Sequence, residues 1–319
     1  MMKNIGIIIE LDNGKIKETN FGMITLARAK DTELFAVVMD ADAASVKEDL
    51  ELFGITKIVE VCLSKDQQAN PVVRAKVIIN VIKAYNICAV FGLSTATGKD
   101  LLPRIAAFLE ASLVMDCYAV DLEQNLVKTS QYSGKTIATI KVTGDVLVFG
   151  VRPNAVEPVK AQASARIVKL KLDESNLVAK GFRVIKTSEV DESTNINLVE
   201  ADVIIAGGRG MKNGDNFTIL SKCAEKLNAA VGASRVAVDA GWVPYSMQVG
   251  QTGEKVSPMV YIACGISGSV QHFAGMKTSG MVIAINTDGN ASIMSNCDYY
   301  VKADALEIIP ELIKHLEND

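Results

Sequence analysis

The sequence predicts an α/β protein of two domains: an amino-terminal doubly wound sheet domain with added antiparallel strands, and a carboxy-terminal domain built on a parallel sheet. Three observations lead to this prediction. Short, wholly apolar runs alternate with stretches of helical spacing over residues 5–92, as in doubly wound domains. Residues 126–151 alternate and are rich in Thr, Val and Ile, which favours antiparallel strands. A polar and acidic stretch at 173–201 then separates two regions of apolar runs.

The elements of the amino-terminal domain follow from these runs. The run IGIII at 5–9 is apolar throughout, which suits a strand buried on both faces of a parallel sheet. Gly54 and Pro71 mark a helix end and a helix start. The predicted strands are 5–9, 34–39, 57–63 and 87–92, and the predicted helices are 19–30, 43–53 and 71 to about 85.

Residues 126–151, with turns at Ser133–Gly134 and Gly144–Asp145, are expected to add strands at the edge of this sheet. We place the domain boundary in the acidic segment 188–193, so that the domains span residues 1–188 and 189–319. In the second domain we predict strands at 201–207 and 281–286, a helix at 217–230 capped by Asp215 or Asn216, and a final helix that begins at Asp304.

Composition excludes several classes of protein. The 33 basic and 37 acidic residues give a net charge of −4, which argues against a general nucleic-acid binder. No apolar run approaches the ~20 residues of a membrane span, and the amino terminus lacks a signal-peptide core, so we expect a cytoplasmic protein. The six cysteines are scattered without a CxxC pair, which indicates buried free thiols in a reducing compartment and no zinc or iron–sulfur site.

Two glycine-containing loops look like phosphate sites but lack the required spacing. In the loop at 94–98, Thr97, Gly98 and Lys99 invite a phosphate-binding interpretation, yet GxxxxGK[ST] is absent. A site role for Lys99 or Arg104 and a solvated helix start both stay open. The loop GGRGMKNGDNF at 207–217 does not fit GxGxxG, so it does not indicate a standard NAD site.

The stretch 231–286 concentrates the features of a ligand site. Glycine recurs there at 232, 241, 250, 253, 265, 268, 275 and 280, where the backbone can turn sharply or approach a ligand closely. Small hydroxyl and amide residues lie between these glycines, together with one arginine, Arg235, and one histidine, His272. Backbone N–H groups in such loops bind anions, so the stretch predicts a large phosphorylated cofactor. No nucleophile–base pair stands out, which argues against hydrolytic chemistry.

The motifs of this stretch resemble a known family. The blocks GASR (232–235), DAGW (239–242), QVGQTG (248–253), YIACGISGSVQH (261–272), AGMK (274–277) and AINTD (284–288) are similar to the FAD-binding region of the electron-transfer flavoprotein alpha subunit, in the same order. GGRG at 207–210 belongs to the same set, and GKDLLPRIAAFL (98–109) and VRPNA (151–155) resemble its amino-terminal domain. The arginine of VRPNA, Arg152, has either a functional role or a structural one in a turn.

The resemblance implies FAD as cofactor and a division of labour among the site residues. Arg209 would meet the phosphates, Ser234 and Arg235 would lie close to the flavin, and Thr252 beside Gln251 would reach N5 of the ring. Asn286 and Asp304 would lie toward the ribose and adenine, although Asp304 can equally be a helix cap alone. The implied cofactor-binding set is Arg209, Ser234, Arg235, Val249, Gly250, Gln251, Thr252, Ser267, Gly268, Ser269, Val270, Gln271, His272, Asn286 and Asp304, with no catalytic residue and no metal ligand.

Two of these residues are expected to act by their charge. Arg235 and His272 are the candidates for a cation beside the flavin, which would stabilise the negative charge of its reduced forms. Each has a plainer alternative, a surface ion pair for Arg235 and a satisfied structural role for His272. The apolar, glycine-rich surroundings of Arg235 argue for a bound partner, because an unpaired charge is costly there.

The function that the resemblance implies is electron transfer, as the alpha subunit of a heterodimer with a beta subunit that in many members carries AMP or a second FAD. Flavin dehydrogenases, such as those acting on acyl-CoA, would donate electrons, and a quinone reductase or similar acceptor would receive them. Whether the chain bifurcates electrons stays open. Two other classes are an NAD-using enzyme, disfavoured by the absence of GxGxxG and of a general base, and a purely structural or regulatory nucleotide-binding subunit.

Overall fold

The chain forms two compact units, each with its own sheet and hydrophobic clusters. The structure, a computed structural model, describes residues 3–39, 41–131, 136–170, 185 and 196–317. One unit comprises Met1–Thr129 and Ile137–Ser188, and the other Ser130–Thr136 and Glu189–Asp319. The predicted α/β class with two sheets is confirmed. The boundary segment 188–193 lies outside the described residues, so the domain limits stay a prediction.

The first sheet is large and mostly parallel. Its strands and an adjoining hairpin are β1 Lys3–Ile8, β2 Leu11–Asp12, β3 Lys15–Ile16, β4 Thr32–Met39, β5 Lys57–Val61, β6 Ile87–Leu93, β7 Ser112–Asp121, β8 Leu126–Gln131, β9 Thr136–Lys141, β10 Leu147–Val151 and β11 Arg166–Lys169. The helices are α1 Thr19–Ala27, α2 Lys47–Glu51, α3 Lys65–Gln68, α4 Pro71–Ala84 and α5 Ala96–Leu109. The sheet order is β11-β5-β4-β1-β6-β10-β7-β8-β9, with β2 and β3 paired separately.

One strand of this sheet differs from its predicted position. β10 was expected among the antiparallel edge strands, but it lies between β6 and β7 and runs parallel to both. All five of its residues are buried, because the run LVFGV is continuous rather than alternating and therefore belongs inside the sheet. The antiparallel addition is confirmed for β8, which pairs with β7. The turn at Ser133–Gly134 lies outside the described residues.

In the first sheet the strand order reverses between β1 and β6, and side chains of the protein itself bond to one another at that position. Glu10 follows β1 and Thr95 follows β6, and the Thr95 hydroxyl lies 2.5 Å from Glu10 Oε1. Thr95 also caps α5 by accepting the Gly98 N–H at 3.1 Å, and Asn20 bonds both backbone groups of Glu10. The loop 94–98 is therefore a satisfied helix start, which favours the plainer interpretation of this segment.

The second sheet is parallel throughout and positions the candidate site. Its strands are β12 Val203–Gly207, β13 Ala230–Ala233, β14 Val260–Cys264, β15 Met281–Ile285 and β16 Tyr299–Val301, in the order β13-β12-β14-β15-β16. Its helices are α6 Phe217–Leu227, α7 Arg235–Asp239, α8 Val270–Met276 and α9 Ala305–Leu316. The order reverses between β12 and β14, and in open parallel sheets ligands bind at that position, outside the carboxyl ends of the strands.

The helix ends of this unit confirm one predicted cap and correct another. Asp304 caps α9, since its Oδ1 accepts the Leu306 N–H at 3.0 Å. The predicted cap of α6 by the side chain of Asp215 or Asn216 is wrong. Asn216 occupies the N-cap position, but its side chain does not bond to the helix N–H groups. Its amide donates instead to the Met211 carbonyl at 2.7 Å and so stabilises the preceding turn. The helix ends at the left-handed Asn228, before the predicted residue 230.

The six cysteines are free, but they are not all buried as expected. Cys62, directly after β5, is exposed, and its thiol donates to Glu60 Oε1 at 3.5 Å. Within the described ranges, no group of three or more His, Cys, Asp or Glu side chains is arranged to hold a metal ion. No helix in the described part of the chain has both the length and the apolar character to cross a membrane.

Candidate cofactor-binding site

A cavity of about 770 Å³ lies at the carboxyl ends of the second sheet. Its lining follows four neighbouring strands, so that the segments after β12, β13, β14 and β15 all contribute. This volume is typical of a small-molecule site. The lining residues are Arg209, Gly210, Ser234, Arg235, Val236, Gln248, Val249, Gly250, Gln251, Thr252, Gly265, Ile266, Ser267, Ser269, Gln271, His272, Asn286, Asp288 and Ala291.

Close backbone contacts between glycines shape the floor of the cavity. A Cβ added at Gly265 would lie 2.6 Å from the Gly210 Cα, so the loops after β12 and β14 can meet only if both residues lack side chains. Gly265 also has a left-handed φ of 60°, which glycine adopts without cost. A second close backbone contact between glycines lies in the cavity wall, where a Cβ on Gly275 would lie 2.3 Å from the Gly250 nitrogen.

The loop 248–252 forms that wall, and hydrogen bonds to β13 and within the loop fix its position. Gln248 is only 2% exposed, and Val249 N donates to the Ala233 carbonyl at the end of β13. The Gln248 amide donates to the Thr252 hydroxyl oxygen at 3.0 Å. Because this bond uses an acceptor position of the hydroxyl, the hydroxyl hydrogen of Thr252 is left to donate elsewhere.

His272 lines the cavity from the first turn of α8. It is 5% exposed, and its Nε2 lies 2.9 Å from the hydroxyl oxygen of the fully buried Tyr261. The other ring nitrogen, Nδ1, is buried, and no group in the described part of the chain meets it with hydrogen-bond geometry. Burial lowers the pKa of His272 to about 4, and the backbone of Val249 opposes this shift only in part. The imidazole is therefore neutral at neutral pH in this structure, so Arg235 is the one of the two candidate cations that carries a permanent charge.

Ser234 provides a second buried polar atom without a partner. It follows β13 and is 9% exposed, and among the described residues its hydroxyl oxygen has no hydrogen-bond partner. An unsatisfied buried hydroxyl costs free energy, so such groups in a cavity wall indicate a ligand that completes their bonding. Ser234 and His272 together thus present two unsatisfied polar atoms to the same cavity.

The charged residues at the cavity are exposed rather than enclosed. Arg235 lies on α7 with 67% of its side chain exposed, and its Nε meets Asp239 Oδ2 at 3.2 Å, one helical turn away. The expected apolar surroundings of Arg235 are therefore wrong, because α7 turns the side chain toward solvent. Arg209 is also exposed, and no carboxylate in the described part of the chain pairs with it.

Comparison with known proteins decides the family. The profile of the electron transfer flavoprotein domain matches residues 5–175, and that of the electron transfer flavoprotein FAD-binding domain matches residues 197–277. The chain belongs to the electron transfer flavoprotein alpha subunit family. Similar relatives are the probable mitochondrial alpha subunit of Caenorhabditis elegans and the alpha subunit of Pseudomonas aeruginosa. Each is 36% identical to this chain. The match covers 96% of this chain and 91% of the Caenorhabditis elegans protein, and 97% of this chain and 98% of the Pseudomonas aeruginosa protein.

A third relative extends the match over the whole length. The electron transfer flavoprotein subunit alpha of Syntrophomonas wolfei is 32% identical over 99% of this chain and all of the relative. Because one matched domain is the family's FAD-binding domain, FAD is the cofactor of this flavoprotein chain, as the sequence predicted. The resemblance found in the blocks between 207 and 288 is thereby confirmed.

The structure brings most of the predicted site residues together at this cavity. Twelve of the fifteen line it, namely Arg209, Ser234, Arg235, Val249, Gly250, Gln251, Thr252, Ser267, Ser269, Gln271, His272 and Asn286. Three do not. Gly268 packs against Ile293, where an added Cβ would lie 2.4 Å from the backbone nitrogen, and Val270 is 53% exposed. Asp304 caps α9 and pairs with Lys212 at 2.8 Å, which lowers the pKa of its carboxyl.

Seven lining residues were not predicted: Gly210, Val236, Gln248, Gly265, Ile266, Asp288 and Ala291. Gly210, Gln248, Gly265, Ile266 and Asp288 lie inside the family blocks and Val236 directly follows one, so the blocks themselves carried a signal for them. Ala291 lies outside the blocks, in the segment after β15, and the strand order brings it to the cavity.

The residues present suit an FAD molecule. FAD is a long, polar ligand with a diphosphate and an electron-poor ring, and the cavity provides two exposed arginines and two unsatisfied polar atoms. When bound, the flavin supplies the electron-transfer chemistry. The chain contributes binding, orientation and hydrogen-bond donors, and no nucleophile is positioned beside an activating base within the described lining.

Proposed function

We propose that this alpha subunit is an FAD-containing electron carrier that works as a heterodimer with a beta subunit. It accepts electrons from flavin dehydrogenases, such as those acting on acyl-CoA, and passes them to a quinone reductase or similar acceptor. The family membership supports the carrier role, and the names of the relatives, which call each a subunit alpha, support a partner subunit.

The observation that carries the proposal is the cavity at the reversal of strand order, with Ser234 Oγ and His272 Nδ1 buried and unsatisfied in its wall. We place the isoalloxazine ring at the end of the cavity formed by His272, Gln251 and Thr252, and the diphosphate toward Arg209. The other predicted residues that line the cavity follow as a group: Ser234 and Arg235 near the ring, Val249, Gly250, Ser267, Ser269 and Gln271 along the cofactor, and Asn286 toward the ribose and adenine.

The chain's own groups then act on the ring without exchanging protons with a substrate. A neutral His272 and the Thr252 hydroxyl offer hydrogen bonds, and Arg235 offers a permanent charge at the rim. Such groups would stabilise the extra electron density of reduced flavin. They would therefore set the redox potential of the flavin rather than promote a reaction on a substrate of this chain's own.

The carrier role is tested with the full chain in complex with its beta subunit. An acyl-CoA dehydrogenase and its substrate, mixed with the complex without oxygen, should bleach the flavin absorbance, and a quinone acceptor should restore it. A complex that holds FAD but is reduced by none of the flavin dehydrogenases tried would contradict the proposed donor class. Omitting the acyl-CoA substrate is the control for adventitious reduction.

The heterodimer is tested separately by size-exclusion chromatography with light scattering. We expect the chain and the beta subunit to elute together at the mass of one copy of each. A chain that stays monomeric beside the beta subunit, yet binds FAD and passes electrons unaided, would refute the heterodimer and leave the carrier role intact.

A further inference from the structure

We propose that Tyr261 holds the proton of His272 on Nδ1, so that the imidazole presents an N–H donor to the cavity and to an acceptor atom of the flavin ring. Tyr261 is thus a positioning residue, which acts on the cofactor through His272. Only the identity of the acceptor depends on the ring position proposed above, while the tautomer follows from the chain alone.

The first support is the rigid placement of the two rings. Tyr261 lies on β14, hydrogen-bonded on both sides within the parallel sheet, with Ile204 and Val282 as its Cα partners. Its side chain is fully buried, its ring centroid lies 6.1 Å from that of His272, and its hydroxyl oxygen lies 2.9 Å from Nε2. The strand therefore holds the phenol in hydrogen-bond contact with one defined nitrogen of the imidazole.

The second support is an account of the protons in this contact. Burial raises the pKa of Tyr261 well above its ordinary value, so the phenol keeps its proton. Within the described residues, the acceptor within reach of that proton is His272 Nε2. If Nε2 itself carried a hydrogen, the phenol proton would be buried without an acceptor. Leaving a buried donor unsatisfied is costly enough to favour the other tautomer by about tenfold or more.

The third support lies on the opposite side of the ring. His272 is neutral at neutral pH, so a single nitrogen carries hydrogen, and with Nε2 accepting, that nitrogen is Nδ1. Nδ1 is buried, it has no hydrogen-bond partner within the described ranges, and the residue lines the cavity. The backbone of Val249 favours a proton on this residue, although no hydrogen bond of ordinary geometry joins the two. An N–H at Nδ1 therefore calls for an acceptor in the cavity, such as a carbonyl oxygen or ring nitrogen of the flavin.

The tautomer can be measured directly in the full chain. The sequence contains two histidines, and His315 is exposed on α9, so His315→Gln leaves His272 as the sole histidine. In ¹⁵N NMR of this variant we expect a protonated Nδ1 and an unprotonated Nε2. Adding Tyr261→Phe should remove the preference and give a mixture. A protonated Nε2 in the His315→Gln chain, or a tautomer that Tyr261→Phe leaves unchanged, would overturn the proposal.

A second measurement separates the role of Tyr261 from the position of the ring. FAD binding should shift the Nδ1 signal, and Tyr261→Phe should lower the two-electron potential of the bound flavin by about 30 mV, the equivalent of a tenfold change. Tyr299→Phe, at an exposed position on β16, is the matched control and should change neither quantity. If the tautomer is as proposed but FAD leaves the Nδ1 signal unmoved, the proposed ring position fails and the role of Tyr261 in setting the tautomer stands.

Discussion

At the scale of single residues, Ser234 offers a test in which stability and affinity move in different directions. Its hydroxyl is buried without a partner, so Ser234→Ala should leave the free energy of unfolding of the FAD-free chain unchanged or raise it. If the hydroxyl bonds to FAD, the same variant should bind FAD about threefold to tenfold more weakly. Thermal unfolding and fluorescence titration measure the two quantities.

Ser257 is the matched control for this experiment, because it is a buried serine whose hydroxyl is satisfied. It is 3% exposed, and its Oγ lies 2.6 Å from Thr278 Oγ1. Ser257→Ala should lose stability, by about 1 kcal/mol, and keep its FAD affinity. A Ser234→Ala chain that loses stability in the same way as Ser257→Ala would show that Ser234 has a structural role.

Arg235 is expected to tune the potential of the flavin more than it holds the cofactor. Because its side chain is 67% exposed, solvent screens its charge, and the effect should stay within about 60 mV, or tenfold, for a one-electron step. Arg235→Ala should lower the potential, Arg235→Lys should restore part of it, and FAD content should fall only slightly. A reductive titration with the potential recorded at each step measures this.

Asp239 supplies the control of opposite sign. It pairs with Arg235 at 3.2 Å, so Asp239→Asn removes a negative charge beside the proposed ring position and should raise the potential. If Arg235→Ala and Asp239→Asn both leave the wild-type potentials in place, the pair is a surface ion pair with little energetic weight.

The same pair shows how far the site could be predicted from single residues. The glycines and small hydroxyls of 231–286 marked backbone that approaches a ligand, and the family resemblance of the blocks implied twelve of the residues that line the cavity. They did not reveal that Arg235 faces solvent, although the spacing of four to Asp239 on a helix was a signal for an ion pair. The neutral state of His272 could not be predicted either, since it depends on how deeply the folded chain buries the imidazole.

At the scale of elements, the contact of the loops after β12 and β14 should be sensitive to a single methyl group. Gly265→Ala adds a Cβ 2.6 Å from the Gly210 Cα and forces alanine into a left-handed φ of 60°. We expect a loss of about 2–4 kcal/mol in the free energy of unfolding and a weakened FAD site. Denaturant unfolding and flavin content measure the two effects.

Gly241→Ala separates strain from collision. Gly241 has a φ of 71°, but no atom of the residues that the structure describes lies within 4 Å of an added Cβ. The variant should therefore lose only the cost of the left-handed backbone, about 1 kcal/mol, and keep its flavin. Equal losses in the two variants would show that the Gly210–Gly265 contact does not limit the fold.

Helices and strands were predictable where one hydrophobic pattern dominated the sequence. The apolar runs of β1, β4, β6, β12 and β15 gave their strands because parallel strands are buried on both faces. β10 was misplaced because its continuous run follows directly on an alternating stretch, and periodicity alone does not tell where one pattern ends. The strand order, and with it the contribution of Ala291 to the cavity, is a tertiary property that local pattern does not contain.

At the scale of the whole molecule, FAD should stabilise one unit and not the other. Each unit has its own hydrophobic clusters, so we expect two calorimetric transitions in the full chain. The lining residues all belong to the carboxy-terminal unit. FAD at a hundredfold excess over its Kd should add about 2.7 kcal/mol to that unit, which raises its transition by roughly 10 °C.

Two glycine substitutions assign the transitions. A Cβ at Gly98 would lie 1.7 Å from the Leu93 carbonyl oxygen, so Gly98→Ala should lower the transition of the amino-terminal unit. Gly265→Ala should lower the other transition, and it should also reduce the shift caused by FAD. A ligand stabilises only the folded unit that binds it. The FAD-induced shift of the carboxy-terminal transition in the Gly98→Ala chain should therefore equal that of the wild type. If FAD raises both transitions equally, or raises the one that Gly98→Ala lowers, the cofactor does not sit in the cavity at the ends of β12 and β14.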